Sequence, residues 1–233
     1  MSVAIMQPYM FPYLGYFQLI QSVDTFVFYD DVNFINKGFI NRNSILVKGN
    51  AQAFTIPLKE ASQNKLIKEI DILKDGIWLN KFLKTIDYNY KKAPYFKETR
   101  NLILETFNQN EIKISELAIQ SVKQVCNYLN IDKTFQVSSE MYNNSKGLEK
   151  QERLISIIAQ SRNNHYINPQ GGKALYDKDY FASNNIKLSF IENQLVTYKQ
   201  FNLVFIKDLS IIDVLMFNSK ESIRELLNQY ILS

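Results

Sequence analysis

The chain of 233 residues contains one cysteine and one histidine, and this scarcity restricts its chemistry. The lone Cys126 rules out an internal disulfide, and with the lone His165 no metal cluster of Cys and His side chains can form. Cys126 falls on the apolar stripe of a predicted helix, so we interpret it as a buried structural thiol. No run approaches the roughly 20 apolar residues that cross a membrane, and the first residues lack the pattern of a signal peptide. We therefore expect a cytoplasmic protein without membrane insertion.

Glycine and proline are scarce as well, with 7 and 5 residues, and no stretch is rich in Gly, Ser or Pro. The sequence thus contains no obvious linker, and its length is enough for one substantial core. We predict a single domain over residues 1–233, within which the helical patterns of residues 76–130 can form a sub-lobe. The oligomeric state is left open by these patterns.

Charge of one sign is not in large excess, since the formal net charge is +4 and the charged residues are dispersed. This balance argues against a nucleic-acid partner but suits an anionic small molecule such as a sugar nucleotide. What the chain does have is aromatic residues, 14 Tyr and 16 Phe. Aromatic rings stack on carbohydrates and equally fill protein cores, so their number alone does not decide between the two.

The first thirty residues follow the pattern of a βαβ unit. Residues 3–6 are apolar, residues 14–23 have apolar positions at helical spacing, and residues 25–29 are β-branched and aromatic. Such a crossover places its two strands parallel. Further alternation later in the chain predicts an α/β fold, Rossmann-like, with a mixed or mainly parallel sheet, helices on both faces and a helical middle section.

The remaining elements are predicted from the same periodicities. We expect strands at residues 134–137, 165–168 and 186–191, and a hairpin of residues 44–48 and 51–57 around Gly49-Asn50. Residues 65–73 fit a short strand or a helix. Helices are expected at residues 77–90, 99–107, 114–129, 149–162 and 220–232. Ser210 and Asp213 have the spacing of a helix capping box, and Arg153 either supports a site or is exposed.

Polar residues follow both strands of the βαβ unit, where parallel sheets bind ligands. Gln7 and Asn33 are predicted to orient a ligand by hydrogen bonds, and Tyr9 or Tyr13 to stack on a base or sugar. Packing of a helix on the sheet is the alternative for the aromatic residues. Asp31 is the candidate catalytic carboxylate, because adjacent strand residues face opposite ways and Asn33 falls on the side of Asp31.

Two basic segments are candidate anion sites. Lys37 and Asn41-Arg42 lie near the predicted hairpin, where a guanidinium beside amide donors suits a phosphate. Gly171, Gly172 and Lys173 can present backbone N–H groups and an ammonium, although the pattern is not a Walker A loop and an ordinary turn explains it as well. The corresponding alternative for Arg42 is a solvated hairpin rim.

His165 is the candidate general base, with a structural role as its alternative. Asp30 and Asp31 could also hold Mg²⁺ with nucleotide phosphates. We expect one pocket between the loops of residues 7–16, 31–43 and 166–173, provided that the strand order brings them together.

The same residues carry a family resemblance. The run Gln7-Pro8-x-x-Phe11-Pro12-Tyr13-Leu14-Gly15-Tyr16-Phe17 resembles the opening of the WbqC-like protein family. Matches continue over essentially the whole chain, at residues 30–34, 37, 41–43, 92–96, 153–155, 166–176 and 209–213.

This resemblance implies a role in bacterial surface-polysaccharide (O-antigen) biosynthesis. On that basis we expect a transferase that moves an acyl or aminoacyl group onto the amine of a nucleotide-linked amino sugar, with ATP and Mg²⁺ as cofactors if the group is activated by ATP. The alternative is a non-catalytic sugar-nucleotide-binding or scaffold protein of the same pathway, which would explain why few catalytic groups are apparent.

Overall fold

The computed structural model describes residues 1–73, 76–108, 112–148, 150–194, 196–201 and 204–233. In these ranges the strands are β1 (Ser2–Met6), β2 (Thr25–Phe28), β3 (Arg42–Val47), β4 (Asn50–Thr55), β5 (Thr134–Val137), β6 (His165–Pro169), β7 (Lys187–Asn193) and β8 (Tyr230–Leu232). The α-helices are α1 (Leu14–Gln21), α2 (Ile77–Tyr90), α3 (Phe96–Phe107), α4 (Ile114–Leu129), α5 (Ser138–Met141), α6 (Lys150–Gln160), α7 (Lys178–Ser183), α8 (Ile211–Phe217) and α9 (Lys220–Leu227).

Six strands form the main sheet in the order β5-β2-β1-β6-β7-β8. Strands β5, β2, β1, β6 and β7 are parallel, and β8 pairs antiparallel with β7 at one edge. In β1, Val3 pairs with Thr25 of β2 on one side and with Tyr166 of β6 on the other. The parallel βαβ opening and the Rossmann-like α/β fold are thereby confirmed. The strand order reverses between β1 and β6, which is the topological switch point of such a sheet.

The alternation of β1 separates two apolar cores. Ala4 belongs to a large core with residues of α1, α4, α8 and α9, whereas Val3 and Ile5 belong to a smaller core with α6 and α7. Successive strand side chains point to opposite faces, so an apolar residue at each position is buried against a helix layer. Helices therefore cover both faces of the sheet, as the sequence predicts.

The predicted hairpin forms a separate two-stranded sheet of β3 and β4. Its turn consists of Lys48 and Gly49, with φ of 47° and 83°, and Asn50 pairs with Val47 in the ladder. The expected Gly49-Asn50 turn is thus wrong by one residue. Positive φ at both central residues is typical of the type I′ turn, whose twist matches that of the two strands.

The helical middle section packs onto the large core. Residues of α2, α3 and α4 share that core with α1 and α8. Helix α4 has the predicted bounds, and Glu116 accepts hydrogen bonds from the backbone N–H groups of Ile112 and Lys113 at its start. Asn130 ends it in the left-handed conformation, a common helix stop. Among the described helices, none is long and apolar enough to cross a membrane.

Two element predictions are wrong. Residues 65–73 contain a 3₁₀ turn, Ile67–Glu69, with single bridges from Ile72 to Leu58 and from Asp71 to Lys113, instead of a regular strand or α-helix. The last predicted helix ends at Leu227, and Tyr230–Leu232 forms β8, because the unpaired edge of β7 supplies backbone hydrogen-bond partners. Of the predicted helix 149–162, Glu149 lies outside the described residues.

Candidate functional site

The loop after β1 lies at the switch point, together with the turn Gln170–Gly172 after β6. In doubly wound sheets this crevice at the carboxyl ends of the strands is where nucleotides bind. The ring of Tyr9 lies 5.5 Å from those of Tyr16 and Phe39, and the ring of Tyr13 lies 5.9 Å from that of Phe39. Burial raises the pKa of both Tyr9 and Tyr13, so both phenols are neutral near pH 7.

The shape of this loop depends on Phe11, which has a left-handed φ of 40°. Its backbone N–H donates to Ser121 Oγ at 3.0 Å, and its carbonyl accepts from Asn43 Nδ2 and Ser210 Oγ, both at 2.7 Å. A non-glycine residue in this region costs about 1–3 kcal/mol and persists only where its surroundings hold it there. Three side chains from distant parts of the chain hold the loop against the strain, and this is the role of Asn43 within the Asn41-Arg42-Asn43 motif.

A second polar group occupies the ends of β2 and β5. Asp30 Oδ1 accepts from Ser138 Oγ and the Ser139 N–H, both at 3.0 Å, and Asp30 Oδ2 accepts from Ser139 Oγ at 2.8 Å. Asp31 Oδ1 lies 2.5 Å from Ser138 Oγ. The oxygens of Asp30 are thus occupied by donors of the protein itself, which does not fit a Mg²⁺ site.

Arg153 of α6 completes this group. Its Nη2 lies 2.6 Å from Asp31 Oδ2, and its Nη1 donates to the Asp31 carbonyl at 3.2 Å. The side chains are 11% and 2% exposed, so this is a buried ion pair, although the Nη2–Oδ2 contact is not aligned as a hydrogen bond. The guanidinium also lies 4.7 Å from the ring centroid of Tyr29, whose pKa burial raises to about 12. Of the two predictions for Arg153, exposure is wrong.

A cleft of about 210 Å³ opens on the other side of the switch point. We call it the α1–β7 cleft, and its walls include Tyr13, Gly15, Gln18, Asn193, Tyr198 and Phe205. Gly15 is needed here because a β-carbon at this position would lie 2.0 Å from Asn193 Nδ2. Only Tyr13 among the predicted binding residues lines this cleft. Gln18 of α1 was missed, as were Asn193 and Tyr198, because only the fold brings the latter two beside α1.

Asp213 does not form the predicted capping box. Its carboxylate instead holds Tyr198, one of the residues that line the α1–β7 cleft. Ser210 caps α8 by accepting from the Ile212 N–H, but the Asp213 carboxylate accepts from Tyr90 Oη and Tyr198 Oη at 2.7 Å and from Gln200 Nε2 at 2.8 Å. Burial raises the pKa of Asp213, while these three donors act in the opposite direction. The carboxylate faces inward because its partners are buried aromatic and amide groups rather than the helix end.

The predicted binding residues of the loops after β1 and β2 differ in burial and in their partners. Asn41 is buried and donates to the Ile56 carbonyl at 2.9 Å, so it has a packing role. Asn33 and Lys37 are exposed, Gln7 and Arg42 are partly buried, and Arg42 has no ion pair with any other described residue.

The glycine loop lies on the face of the sheet that carries α6. Gly172 is packed against Asn168 and Tyr176, whereas Gly171 faces open space. The Lys173 ammonium lies 5.9 Å from the ring centroid of Phe190 in β7. With strands about 4.8 Å apart, β7 is roughly 14 Å from β2 and hence from the strand that leads to Asp31. The loop and Asp31 thus share an edge of the sheet but not a direct contact.

Among the predicted site residues, His165 alone lies at the amino ends of the parallel strands, opposite the loops that carry the others. It is the first residue of β6, pairs with Ser2, and its Nε2 lies 3.1 Å from Ser189 Oγ. The strand itself separates it from the carboxyl edge by roughly 13 Å. His165 therefore lies away from the carboxyl edge, where the pocket between the loops of residues 7–16, 31–43 and 166–173 is expected. Cys126 is buried on α4, as expected, and burial raises the pKa of its thiol to about 12.

Comparison with known proteins gives a family but no activity. The sequence model of the WbqC-like protein family matches residues 7–225. An uncharacterized protein of Mycobacterium tuberculosis (strain ATCC 25618 / H37Rv), Rv1507c, is 29% identical over 221 residues, which cover 93% of this chain and 93% of that protein. No solved structure matches the chain.

Proposed function

The chain belongs to the WbqC-like protein family, and from this membership and the geometry of the sheet we propose that it is a transferase acting on a sugar nucleotide during assembly of a bacterial surface polysaccharide such as O-antigen. The observation that carries the proposal is the α1–β7 cleft, whose aromatic and amide walls lie beside the switch point between β1 and β6. Ligands of doubly wound sheets lie at this switch point. Family membership supports the proposed pathway, and the cleft supports a nucleotide as the class of ligand.

The proposed reaction moves an acyl or aminoacyl group onto the amine of a nucleotide-linked amino sugar. The amine nitrogen forms a bond to the acyl carbon, the bond from that carbon to its leaving group breaks, and the nitrogen loses a proton. We assign the proton to Asp31, which would first have to part from Arg153 Nη2. If the acyl group is activated by ATP, Mg²⁺ would accompany the phosphates, and Asp30 would keep its hydrogen bonds to Ser138 and Ser139.

Arg42 and Lys37 are the proposed phosphate ligands. Neither is engaged in an ion pair with another described residue, and Arg42 begins β3, next to Asn43, which holds the β1 loop. A planar guanidinium binds phosphate oxygens with paired hydrogen bonds. Gln7, Tyr9 and Gly171 lie at the ends of β1 and β6, where they would contact the ligand between its base and its sugar.

The test is turnover by the purified protein. Nucleotide-linked amino sugars are incubated with acyl and aminoacyl donors, with and without ATP and Mg²⁺, and the mass gained by the sugar nucleotide is measured. We expect one pair of substrates to give an acylated product, and Asp31→Asn to lose it. The variant's thermal stability must be measured alongside, because Asp31 is also a buried ion-pair partner.

Binding is tested separately with Arg42→Ala. Its affinity for the sugar nucleotide should fall by about 1.5–3 kcal/mol, the typical contribution of a hydrogen bond to a charged group. Arg162→Ala is the matched control, since Arg162 is an exposed arginine just before β6, at the amino edge. Equal affinities of the two variants in calorimetry would count against the phosphate assignment.

A non-catalytic binding protein of the same pathway is the second candidate, and one observation favours it. Asp31, the proposed proton acceptor, is in contact with Arg153 and Ser138 and is not a free carboxylate. Binding of a sugar nucleotide without turnover of any donor would support this candidate over the transferase.

A further inference from the structure

The α1–β7 cleft contains a buried amide whose orientation the protein has already determined. Gln18 is 1% exposed, and its Nε2 donates to the carbonyls of Leu226 and Gln229 at 2.9 and 3.0 Å. Both amide hydrogens are therefore committed, and the group left for a ligand is the acceptor Oε1. It has no hydrogen bond to another described residue, although Gln18 lines the cleft. A ligand that donates an N–H or O–H would satisfy it.

Aromatic rings form the other walls. Tyr198 and Phe205 meet at 5.1 Å between ring centroids and an interplanar angle of 81°, and Tyr13 lies at the start of α1. The Tyr198 phenol is held at 2.7 Å by Asp213, so its ring is positioned before any ligand arrives. Rings fixed in this way are suitable platforms for stacking a flat heterocycle.

The charges of the cleft argue against a phosphate there. Its lining contains one lysine and one aspartate, Lys207 and Asp208, which lie 3.8 Å apart and are 72% and 76% exposed. Their charges cancel, and none of the described residues that line the cleft is an arginine. The volume of about 210 Å³ is also below the roughly 300–1,000 Å³ of a site for a whole drug-sized ligand. The cleft suits one neutral ring system.

We propose that the α1–β7 cleft binds the nucleobase of the sugar nucleotide, stacked on its aromatic walls and donating an N–H to Gln18 Oε1. This inference rests on the proposed function and identifies the end of the ligand that the cleft recognises. The phosphates and the sugar would then extend from the cleft across β6 and β1 toward the loop after β2, in the direction of Asp31.

Gln18 can be tested without changing the protein, since substituting it would also disturb the chain around Leu226 and Gln229. Wild-type protein is titrated by calorimetry with uridine, thymidine, cytidine, adenosine and guanosine. The tightest of these is then compared with its analogue in which methyl groups replace every hydrogen on the donating nitrogen. We expect the analogue to bind at least about tenfold more weakly, the loss that follows from one unmade hydrogen bond to a buried acceptor. Equal affinities would overturn the role of Gln18.

The aromatic walls are tested with a matched pair of variants. Phe205→Ala should weaken nucleoside binding by at least about tenfold, because a base–aromatic stacking contact is removed. Phe201→Ala removes the same ring from the same segment, but Phe201 is 50% exposed, packs on Phe217 and does not line the cleft, so binding should be unchanged. Melting temperatures of both variants establish that they are folded.

The outcomes separate this inference from the proposed function. If sugar nucleotides bind wild type and Phe205→Ala equally well, the base lies elsewhere and only the cleft assignment fails. If free glucosamine displaces the nucleoside, the cleft holds the sugar and the assignment again fails. If nucleosides bind as predicted but no sugar nucleotide binds, the cleft assignment stands as a nucleoside site and the proposed transferase fails.

Discussion

At the carboxyl ends of the strands, the polar groups near β2 and β5 differ from those near β7 in how far they are already engaged with other protein groups. Beyond β2 and β5, Asp30 accepts hydrogen bonds from Ser138 and Ser139, and Asp31 is paired with Arg153 by a contact that is not aligned as a hydrogen bond. Beside β7, the buried acceptor of Gln18 has no partner among the described residues and faces a cleft. The more strongly charged groups are thus engaged mainly with one another, so charge in a sequence motif is a weaker indicator of a binding surface than a preoriented polar group that faces a cleft.

Substitution in the Asp31–Arg153 ion pair, near β2 and β5, should give the largest change in stability. Arg153→Ala leaves the Asp31 carboxylate buried without its partner, which typically costs about 3–5 kcal/mol. We expect this loss in the free energy of unfolding, measured in urea. Arg100→Ala is the matched control, since Arg100 and Asp87 form a pair at 2.5 Å whose side chains are 31% and 40% exposed, and such pairs contribute no more than about 1 kcal/mol. Equal losses in the two variants would mean that Asp31 is not a buried charge.

The support behind the cleft should give an intermediate change. Tyr90→Phe removes the hydroxyl that donates to Asp213 and accepts from the Leu46 N–H at 2.6 Å. Loss of a hydrogen bond to a buried charged group should lower the free energy of unfolding by about 1.5–3 kcal/mol. Tyr88→Phe, on the same helix with Tyr88 72% exposed, should change it by less than about 0.5 kcal/mol. A Tyr90 variant as stable as the Tyr88 control would contradict the Asp213 network.

The sequence predicts the fold better than the site, because the fold depends on local periodicity. Helix α4 has its predicted bounds since its apolar stripe and its ends are all local features. Strand β8 was predicted as helix because residues 230–232 continue the apolar pattern of α9, and only pairing with β7 distinguishes the two.

Site residues depend on contacts between distant parts of the chain. Asp31 and Arg153 are 122 positions apart, and nothing local to either indicates the pair. Asp213 has the spacing of a capping box with Ser210, yet partners from α2 and from the segment before α8 turn its carboxylate inward. His165 was placed in the site because the strand it begins was recognised but its position at the amino end of that strand was not used.

Substitutions in the α1–β7 cleft should change nucleoside affinity more than they change stability. In Gly15→Ala the new methyl group would lie 2.0 Å from Asn193 Nδ2 and 2.8 Å from a Tyr13 ring carbon. Asn193 is exposed and can move, and alanine stabilises a helix by roughly 0.5–1 kcal/mol over glycine, so the melting temperature should barely change. Nucleoside affinity should fall because the displaced amide enters the cleft.

A second substitution tests this explanation of the Gly15 result. Adding Asn193→Ala to Gly15→Ala removes the displaced amide, and nucleoside affinity should recover. If the double variant stays as weak as the single one, the close approach of Asn193 is not the reason for glycine at this position.

Substitution of His165, at the amino end of β6, should give the smallest effect, and this effect should be confined to the pH dependence of stability. Burial, followed by the charges of Lys187 and the N-terminus, lowers the pKa of His165 from its usual value near 6.5. The unfolded chain therefore binds the proton more readily, so this contribution to stability is complete above about pH 6.5 and is lost as the pH falls through the lower pKa of the folded state. His165→Gln should remove that dependence, and the difference between its melting temperature and that of wild type should change between pH 7.5 and 5.5, by an amount limited by the partial exposure of the ring.

Nucleoside and sugar-nucleotide binding by His165→Gln should match wild type at both pH values, because the ligand edge lies at the other end of β6. A loss of binding or turnover in this variant at pH 7.5 would show that the amino edge contributes to the site, and would remove the reason for assigning function to the carboxyl edge alone.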